Sequence, residues 1–87
     1  MTLPDNPWNR LTGHVVDSAL KVHTILGPGL LEHVYTECLA RELRNRGLEV
    51  QQQLPVPLVY EGQLLDMSFR LDMLVAHEVV VEVKAVQ

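Results

Sequence analysis

The feature of this sequence that most restricts its fold is a change in the spacing of apolar residues at Gly47. Before Gly47, apolar residues recur every three or four positions over residues 9–26 and 30–46, which is the period of a helix face. Gly27-Pro28-Gly29 separates the two helices, because Gly suits a left-handed helix end and Pro cannot continue a helix. After Gly47 the period is two, which predicts strands at 48–54, 56–60 (a second strand or a continuation of the first), 67–75 and 79–86. This order predicts an α+β fold with two N-terminal helices packed on an antiparallel β-meander.

Length and composition restrict the class of protein further. The chain has 87 residues, and we expect one domain over 1–87 in which residues 1–8, with two prolines, form a loose leader. The net charge of −4 argues against passive binding of nucleic acid, which needs a basic surface. Cys38 is the only cysteine and cannot form an internal disulfide. With no signal peptide and no membrane-length apolar run, the sequence predicts a cytoplasmic protein.

The C-terminal segment VVVEVKAVQ places two charges inside a valine-rich strand. Glu82 and Lys84 are two residues apart and therefore lie on the same side of the strand. A three-residue loop at 76–78 would pair Val75 with Val79 and would put Asp72 directly across from Glu82. A two-residue turn would instead place Asp72 opposite Val83, so we expect the three-residue loop.

This pattern admits two interpretations of the charges. Two adjacent carboxylates, Asp72 and Glu82, repel each other unless a cation lies between them, and Mg²⁺ or Mn²⁺ with oxygen ligands would suit that position. Such an ion could activate water, and Lys84 could stabilise the developing charge. The alternative is a structural ion-pair cluster in which Lys84 lies between the two carboxylates and Arg70 lies nearby.

Asp72 followed by Glu82-Val83-Lys84 on the next strand resembles the PD-(D/E)xK nuclease motif. Gly29-Leu30-Leu31-Glu32-His33-Val34-Tyr35 also matches the pattern of the GxxExxY proteins, which are small, mostly prokaryotic proteins of that superfamily. The segments HTILGPGLLE, ARELRNRGL, FRLDMLV and VEVKAV extend the similarity from about Leu11 to Val86.

The resemblance implies a restriction-endonuclease-like core and a metal-dependent nuclease that hydrolyses phosphodiester bonds of DNA or RNA. It implies that Asp72, Glu82 and the carbonyl of Val83 bind the divalent metal, that Lys84 is the catalytic lysine and that Glu32 reaches the same site. Without the resemblance, Glu32 reads as an acidic residue that is favourable near a helix N-terminus. Tyr35 is expected to pack so that it orients Glu32.

The resemblance also leads us to expect a core truncated after the E-x-K strand. The superfamily core continues from that strand with another helix and usually another strand, and we expect a second copy of the chain to cover the sheet in a homodimer. The alternative function is a non-catalytic interaction module that keeps the nuclease fold. A dedicated metal-binding or redox protein is disfavoured, because the chain lacks the His and Cys ligands in the spacing that such a site needs.

Overall fold

The computed structural model describes residues 7–29 and 31–84, with side chains from residue 9 onward. Two helices, α1 and α2, precede one antiparallel sheet with the strand order β1-β2-β3. The bounds are α1 Pro7–Leu26, α2 Glu32–Asn45, β1 Val50–Tyr60, β2 Gln63–Val75 and β3 Val79–Val81. The predicted α+β class is confirmed. The predicted leader is wrong for Pro7 and Trp8, which belong to α1, and the rest of it lies outside the described residues.

The prediction that Gly27 ends the first helix is confirmed. Gly27 has a φ of 75°, and its N–H donates to the carbonyl of His23 over 2.8 Å, which closes the last turn of α1. A residue with a side chain would be strained at this φ, so Gly lets the chain turn away from α1 at little cost.

Polar contacts fix the two helices against each other. The Tyr35 hydroxyl donates to the carbonyl of Ala19 over 2.9 Å, which joins α2 to α1. The carboxylate of Glu42 bridges Lys21 of α1 at 2.9 Å and Arg46 at 3.1 Å. The hydrogen bond from Lys21, and then that from Arg46, lowers the pKa of Glu42 below 4.5.

The core lies where α2 packs on the sheet beside α1. Its buried apolar residues come from both helices and from the inner ends of the two long strands: Leu11, Val22, Leu39, Ala40, Leu43, Val50, Met73 and Val75. Burial of a large apolar side chain contributes roughly 1.5–3 kcal/mol, so these few residues carry much of the stability of so small a domain. Ser18 is also fully buried, and its hydroxyl has no hydrogen-bond partner among the described residues.

The sheet differs from the predicted strands at three boundaries. The strand predicted to begin at Leu48 begins at Val50, and it runs unbroken to Tyr60, which confirms the alternative that 56–60 continues the first strand. Pro55 and Pro57 are tolerated there because β1 is an edge strand. The strand predicted to begin at Met67 begins at Gln63, since pairing with β1 continues to the turn at Glu61-Gly62. The strand predicted over 79–86 ends at Val81, and residues 85–87 lie outside the described residues.

Candidate functional site

The hairpin between β2 and β3 has the predicted loop length and register. Three residues, 76–78, connect the strands, and Val75 pairs with Val79 while Met73 pairs with Val81. One more step in this register would pair Asp72 with Glu82, but β3 has already ended at Val81. The prediction of the register is therefore confirmed up to the residue before the expected pair.

A side-chain hydrogen bond lies where the strand pairing stops. The backbone N–H of Val83 donates to Oδ2 of Asp72 over 2.7 Å. An Asp side chain that accepts from a nearby backbone N–H offers the chain an alternative to ladder hydrogen bonds, which is a physical reason for β3 to end here. The bond is charge-assisted, and an ionised carboxylate has about four lone-pair positions, so Asp72 has acceptor capacity beyond this bond.

Asp72 lines a cleft of about 290 Å³ together with residues from α2 and β1. Glu32 lies on the first turn of α2, so the cleft brings together an acidic residue of a helix and an acidic residue of a strand that are forty positions apart in sequence. Val83 lies on the same wall. The full lining is Glu32, His33, Thr36, Glu37, Gln52, Gln53, Asp72 and Val83.

Two other residues predicted for the site lie outside the cleft. Glu82 and Lys84 follow the end of β3, are exposed and are not among the residues that line the cleft. The atom of Val83 that meets Asp72 is the amide nitrogen, whereas the resemblance implies a role for the carbonyl oxygen. The functional roles of Glu82, Lys84 and the Val83 carbonyl stay predictions.

The alternative ion-pair cluster is not formed in the described part of the chain. Neither Asp72 nor Glu82 has a contact of 4.0 Å or less with Lys84 or Arg70 there. Asp72 accepts a hydrogen bond from a backbone amide instead, and its carboxylate has no basic partner among those residues.

Glu32 owes its position to the way α2 begins. The carbonyl of Leu31 accepts the N–H groups of Val34 and Tyr35, and Leu31 supplies no side-chain cap. The Thr36 hydroxyl donates to the carbonyl of Glu32 over 2.8 Å. The Tyr35 hydroxyl donates to α1, and the role of Tyr35 in orienting Glu32 stays a prediction.

A chain of hydrogen bonds beside the cleft was not predicted from the sequence. Nε2 of Gln52 donates to Glu37 over 3.1 Å, and Oε1 of Gln52 accepts from Arg44 over 3.2 Å. Arg44 also donates to the carbonyl of Val50 over 2.9 Å. This chain joins α2 to β1 and fixes one wall of the cleft, and the run of three glutamines at 51–53 in a predicted strand is the signal that could have indicated it.

Gln53 is a second residue that the sequence reasoning missed. The register of β1 and β2 places it opposite Asp72, but the two are not a bridged pair, and Gln53 has a φ of 52°. A left-handed residue that is not Gly costs on the order of 1–3 kcal/mol, and such residues cluster at functional sites. The strain therefore lies in the wall of the cleft directly beside Asp72.

The donor atoms of the cleft suit a hard divalent cation. Glu32 and Asp72 supply carboxylate oxygens and Gln53 supplies an amide oxygen, whereas Glu37 and Oε1 of Gln52 already accept hydrogen bonds. Mg²⁺ and Mn²⁺ prefer oxygen ligands. Within residues 7–29 and 31–84, however, no three His, Cys, Asp or Glu side chains lie close enough together to hold an ion. The cleft has the donor chemistry for a divalent ion, and the structure contains no preassembled set of three such ligands in this range.

No helix in the described ranges is long and apolar enough to cross a membrane.

Comparison with known proteins identifies the family. Neither the curated proteins nor the solved structures gave a match to the chain. The family model described as the PD-(D/E)XK nuclease superfamily matches residues 9–87, which include α1 from Asn9 onward, α2 and all three strands. The chain belongs to the PD-(D/E)XK nuclease superfamily.

Proposed function

We propose that this chain is a GxxExxY-type nuclease that hydrolyses phosphodiester bonds of DNA or RNA with the help of Mg²⁺ or Mn²⁺. The observation that carries the proposal is the convergence of Glu32, Asp72 and Val83 on one cleft. These residues come from the GxxExxY segment, the motif aspartate and the E-x-K segment, which Val83 represents in the lining of the cleft. Divalent metals are typical of the superfamily, and the oxygen-rich lining supports their use here.

The residues that would hold the metal ion are Asp72, Glu32 and Glu82, with the carbonyl of Val83 as a further ligand. Such an ion supplies Lewis acidity and lowers the pKa of a bound water toward neutrality. Continuation of the observed register by one residue would pair Glu82 with Asp72, so only a local extension of β3 is needed to complete this set. That extension replaces the bond from the Val83 amide to Asp72 with regular strand pairing.

Lys84 would act on the phosphate rather than on the metal. On an extended β3 it lies on the same side as Glu82, because side chains two residues apart share a face. Its ammonium group would then stabilise the negative charge that develops on the phosphate oxygens during hydrolysis. The chain carries a net charge of −4, so a cation in the cleft would also offset the repulsion between the protein and a polyanion.

The test is a cleavage assay on single-stranded and double-stranded DNA and RNA with Mg²⁺ or Mn²⁺. We expect cleavage that is lost in Lys84→Ala, while the affinity for Mn²⁺ stays within about twofold of wild type, since Lys84 is not a ligand. Arg41→Ala is the control, because it also removes one positive charge, from an exposed position of α2 that does not line the cleft. Absence of cleavage on all four substrates, or equal cleavage by Lys84→Ala, would refute the catalytic assignment and favour a non-catalytic interaction module.

A further inference from the structure

Gln53 combines a strained backbone with a position in the wall of the cleft. Its φ is 52°, whereas a residue with a side chain normally has a negative φ. The other described residues besides Gly that have a positive φ lie in the turns at 61–62 and 76–78, where the chain reverses direction. Gln53 instead lies inside β1, between two residues that pair with β2. A chain reversal therefore does not account for its conformation.

The left-handed conformation coincides with a break in the alternation of β1. Successive side chains of a regular strand lie on opposite faces of the sheet, so a regular strand would bring only one of Gln52 and Gln53 to the cleft. Both residues nevertheless line it beside Asp72. The strained conformation thus adds a second polar residue of β1 to the wall, and residues held in such conformations cluster at functional sites.

The carboxamide of Gln53 has no hydrogen-bond partner within the described part of the chain. The neighbouring amide oxygen, Oε1 of Gln52, accepts from Arg44, and the Glu37 carboxylate accepts from Gln52. Gln53 is exposed, and an amide oxygen has two lone pairs. Of the two amide oxygens in the lining, that of Gln53 is therefore the one available to a bound ligand.

The strand pairing places Gln53 beside the motif aspartate. The pairs on either side of Gln53 keep one register, and this register puts Gln53 opposite Asp72. Neighbouring strands lie about 4.8 Å apart, so the two side chains are within reach of one ion. The extension of β3 described above would put Glu82 opposite Asp72 on its other side. Gln53, Asp72 and Glu82 would then form one row across three strands, so a role for Gln53 is compatible with that extension.

A divalent ion in this cleft needs more oxygen donors than the carboxylates of Glu32 and Asp72. Mg²⁺ demands a nearly octahedral set of oxygen ligands, and protein carbonyl and amide oxygens can contribute to such sets. A neutral amide oxygen adds a donor without adding to the repulsion between the two carboxylates. Gln53 supplies such an oxygen at the position where the lining lacks a third acidic ligand.

We propose that the carboxamide oxygen of Gln53 is a further ligand of the divalent ion in this cleft. The inference rests on the proposed function for the presence of the ion, and it assigns to the site a residue that lies outside both sequence signatures. The ion then receives oxygen donors from three elements: Glu32 of α2, Gln53 of β1 and Asp72 of β2. The left-handed backbone is the feature that brings Gln53 into this set.

The first test measures the affinity for Mn²⁺ from the electron paramagnetic resonance signal of the unbound ion. We expect Gln53→Ala to bind about fivefold or more weakly than wild type, because it removes an oxygen ligand. Gln53→Glu should bind about threefold or more tightly, because it turns the neutral ligand into a carboxylate.

Substitutions of Gln51 are the matched controls for both changes. Gln51 lies two residues away on the same strand, pairs with Leu74 and does not line the cleft. In about 0.15 M salt, which screens charges that are not in contact, Gln51→Ala and Gln51→Glu should stay within about twofold of the wild-type affinity.

The second test separates the backbone of Gln53 from its side chain. Gln53→Gly relieves the left-handed strain and should raise Tm by about 4–8 °C. Gln51→Gly relieves no such strain and should lower Tm. Because Gln53→Gly also lacks the amide oxygen, we expect it to lose the same factor of about five in Mn²⁺ affinity as Gln53→Ala. A variant that is more stable and yet binds more weakly cannot owe the loss to unfolding.

The remaining results would overturn the assignment in distinguishable ways. Absence of Mn²⁺ binding by wild type would refute the metal site of the proposed function and, with it, this ligand. Binding by wild type that is unchanged in Gln53→Ala and Gln53→Glu would refute the role of Gln53 alone. Equal effects at positions 51 and 53 would show that nearby charge, rather than a ligand, sets the affinity. A loss in Gln53→Gly without one in Gln53→Ala would assign the effect to the backbone.

Discussion

Asp72 is predicted to stabilise the fold as well as to serve the candidate site, and two substitutions separate these effects. Asp72→Asn keeps an oxygen that can accept from the Val83 amide, whereas Asp72→Ala removes it. A hydrogen bond to a charged group contributes about 1.5–3 kcal/mol and a neutral one about 0.5–1.5 kcal/mol. Because Asp72 is only half-buried, we take the lower part of each range and expect a loss of about 1 kcal/mol for Asn and about 2 kcal/mol for Ala.

Urea unfolding followed by circular dichroism measures these losses in the free energy of unfolding. In a domain of this size, 1 kcal/mol corresponds to about 4–8 °C in Tm, so Asp72→Ala should melt roughly 10 °C lower than wild type. Hydrogen exchange of the Val83 amide gives a local readout, with protection reduced in Asn and abolished in Ala. Glu82→Ala is the control, since Glu82 is exposed beside Val83, and its cost should stay within about 0.5 kcal/mol.

An Asp72→Ala variant that unfolds at the same urea concentration as wild type would show that the bond from the Val83 amide to Asp72 does not stabilise the fold. Equal protection of the Val83 amide in the two proteins would show that this amide does not depend on Asp72. Either result would mean that the Asp72–Val83 bond does not explain the end of β3 in solution.

Three further predictions concern the helices. Ser18→Ala should raise Tm, because it removes a fully buried hydroxyl that lacks a partner among the described residues. The expected gain in the free energy of unfolding is about 1 kcal/mol. A Tm equal to or below that of wild type would show that the hydroxyl has a hydrogen-bond partner in solution. Tyr35→Phe deletes the hydrogen bond to the carbonyl of Ala19 and should lower the free energy of unfolding in urea by about 1 kcal/mol. An unchanged urea midpoint would mean that this hydrogen bond between the helices does not contribute to stability. The pKa of Glu42 is held below 4.5 chiefly by Lys21, so this group stabilises the fold above pH 4.5 and the stabilisation is lost as the pH falls through the lower, folded pKa. Glu42→Gln should therefore lower Tm at pH 7 and flatten its decline as the pH falls below 4.5, whereas a parallel decline in both proteins would contradict this origin.

The order of elements could be predicted from the sequence because local signals determine it. The change in apolar period at Gly47 separates helices from strands, and Gly27 ends α1 through its own conformational freedom. The loop at 76–78 was predictable from strand parity, which allows only certain loop lengths if Asp72 is to lie across from Glu82.

The end of β3 could not be predicted from the same signals. The alternation of valines in VVVEVKAV indicates a strand through residue 84 and beyond, yet the ladder stops at Val81. The competing contact joins Val83 to Asp72, eleven residues earlier, and a period-two pattern contains no information about a side chain that captures a backbone amide.

The candidate site was predictable in part. The resemblance predicts that Glu32 and Asp72 reach one site; both line one cleft, and their roles stay predictions. The bonds among Glu37, Gln52 and Arg44, and the left-handed conformation of Gln53, depend on how α2 lies across β1. Such contacts arise from tertiary packing, so spacing along the chain does not specify them.

Calorimetric titration with Mg²⁺ and Mn²⁺ tests most directly the claim that the cleft is a metal site. It should be performed on wild type, Glu32→Gln and Asp72→Asn, with Glu61→Gln as a control that makes the same chemical change in the exposed turn between β1 and β2. We expect binding by wild type and by the control, and a loss of at least about tenfold in affinity in each of the other two variants, because each removes one carboxylate ligand. Absence of binding by wild type, or equal binding by all four proteins, would contradict the assignment of Glu32 and Asp72 to one metal site.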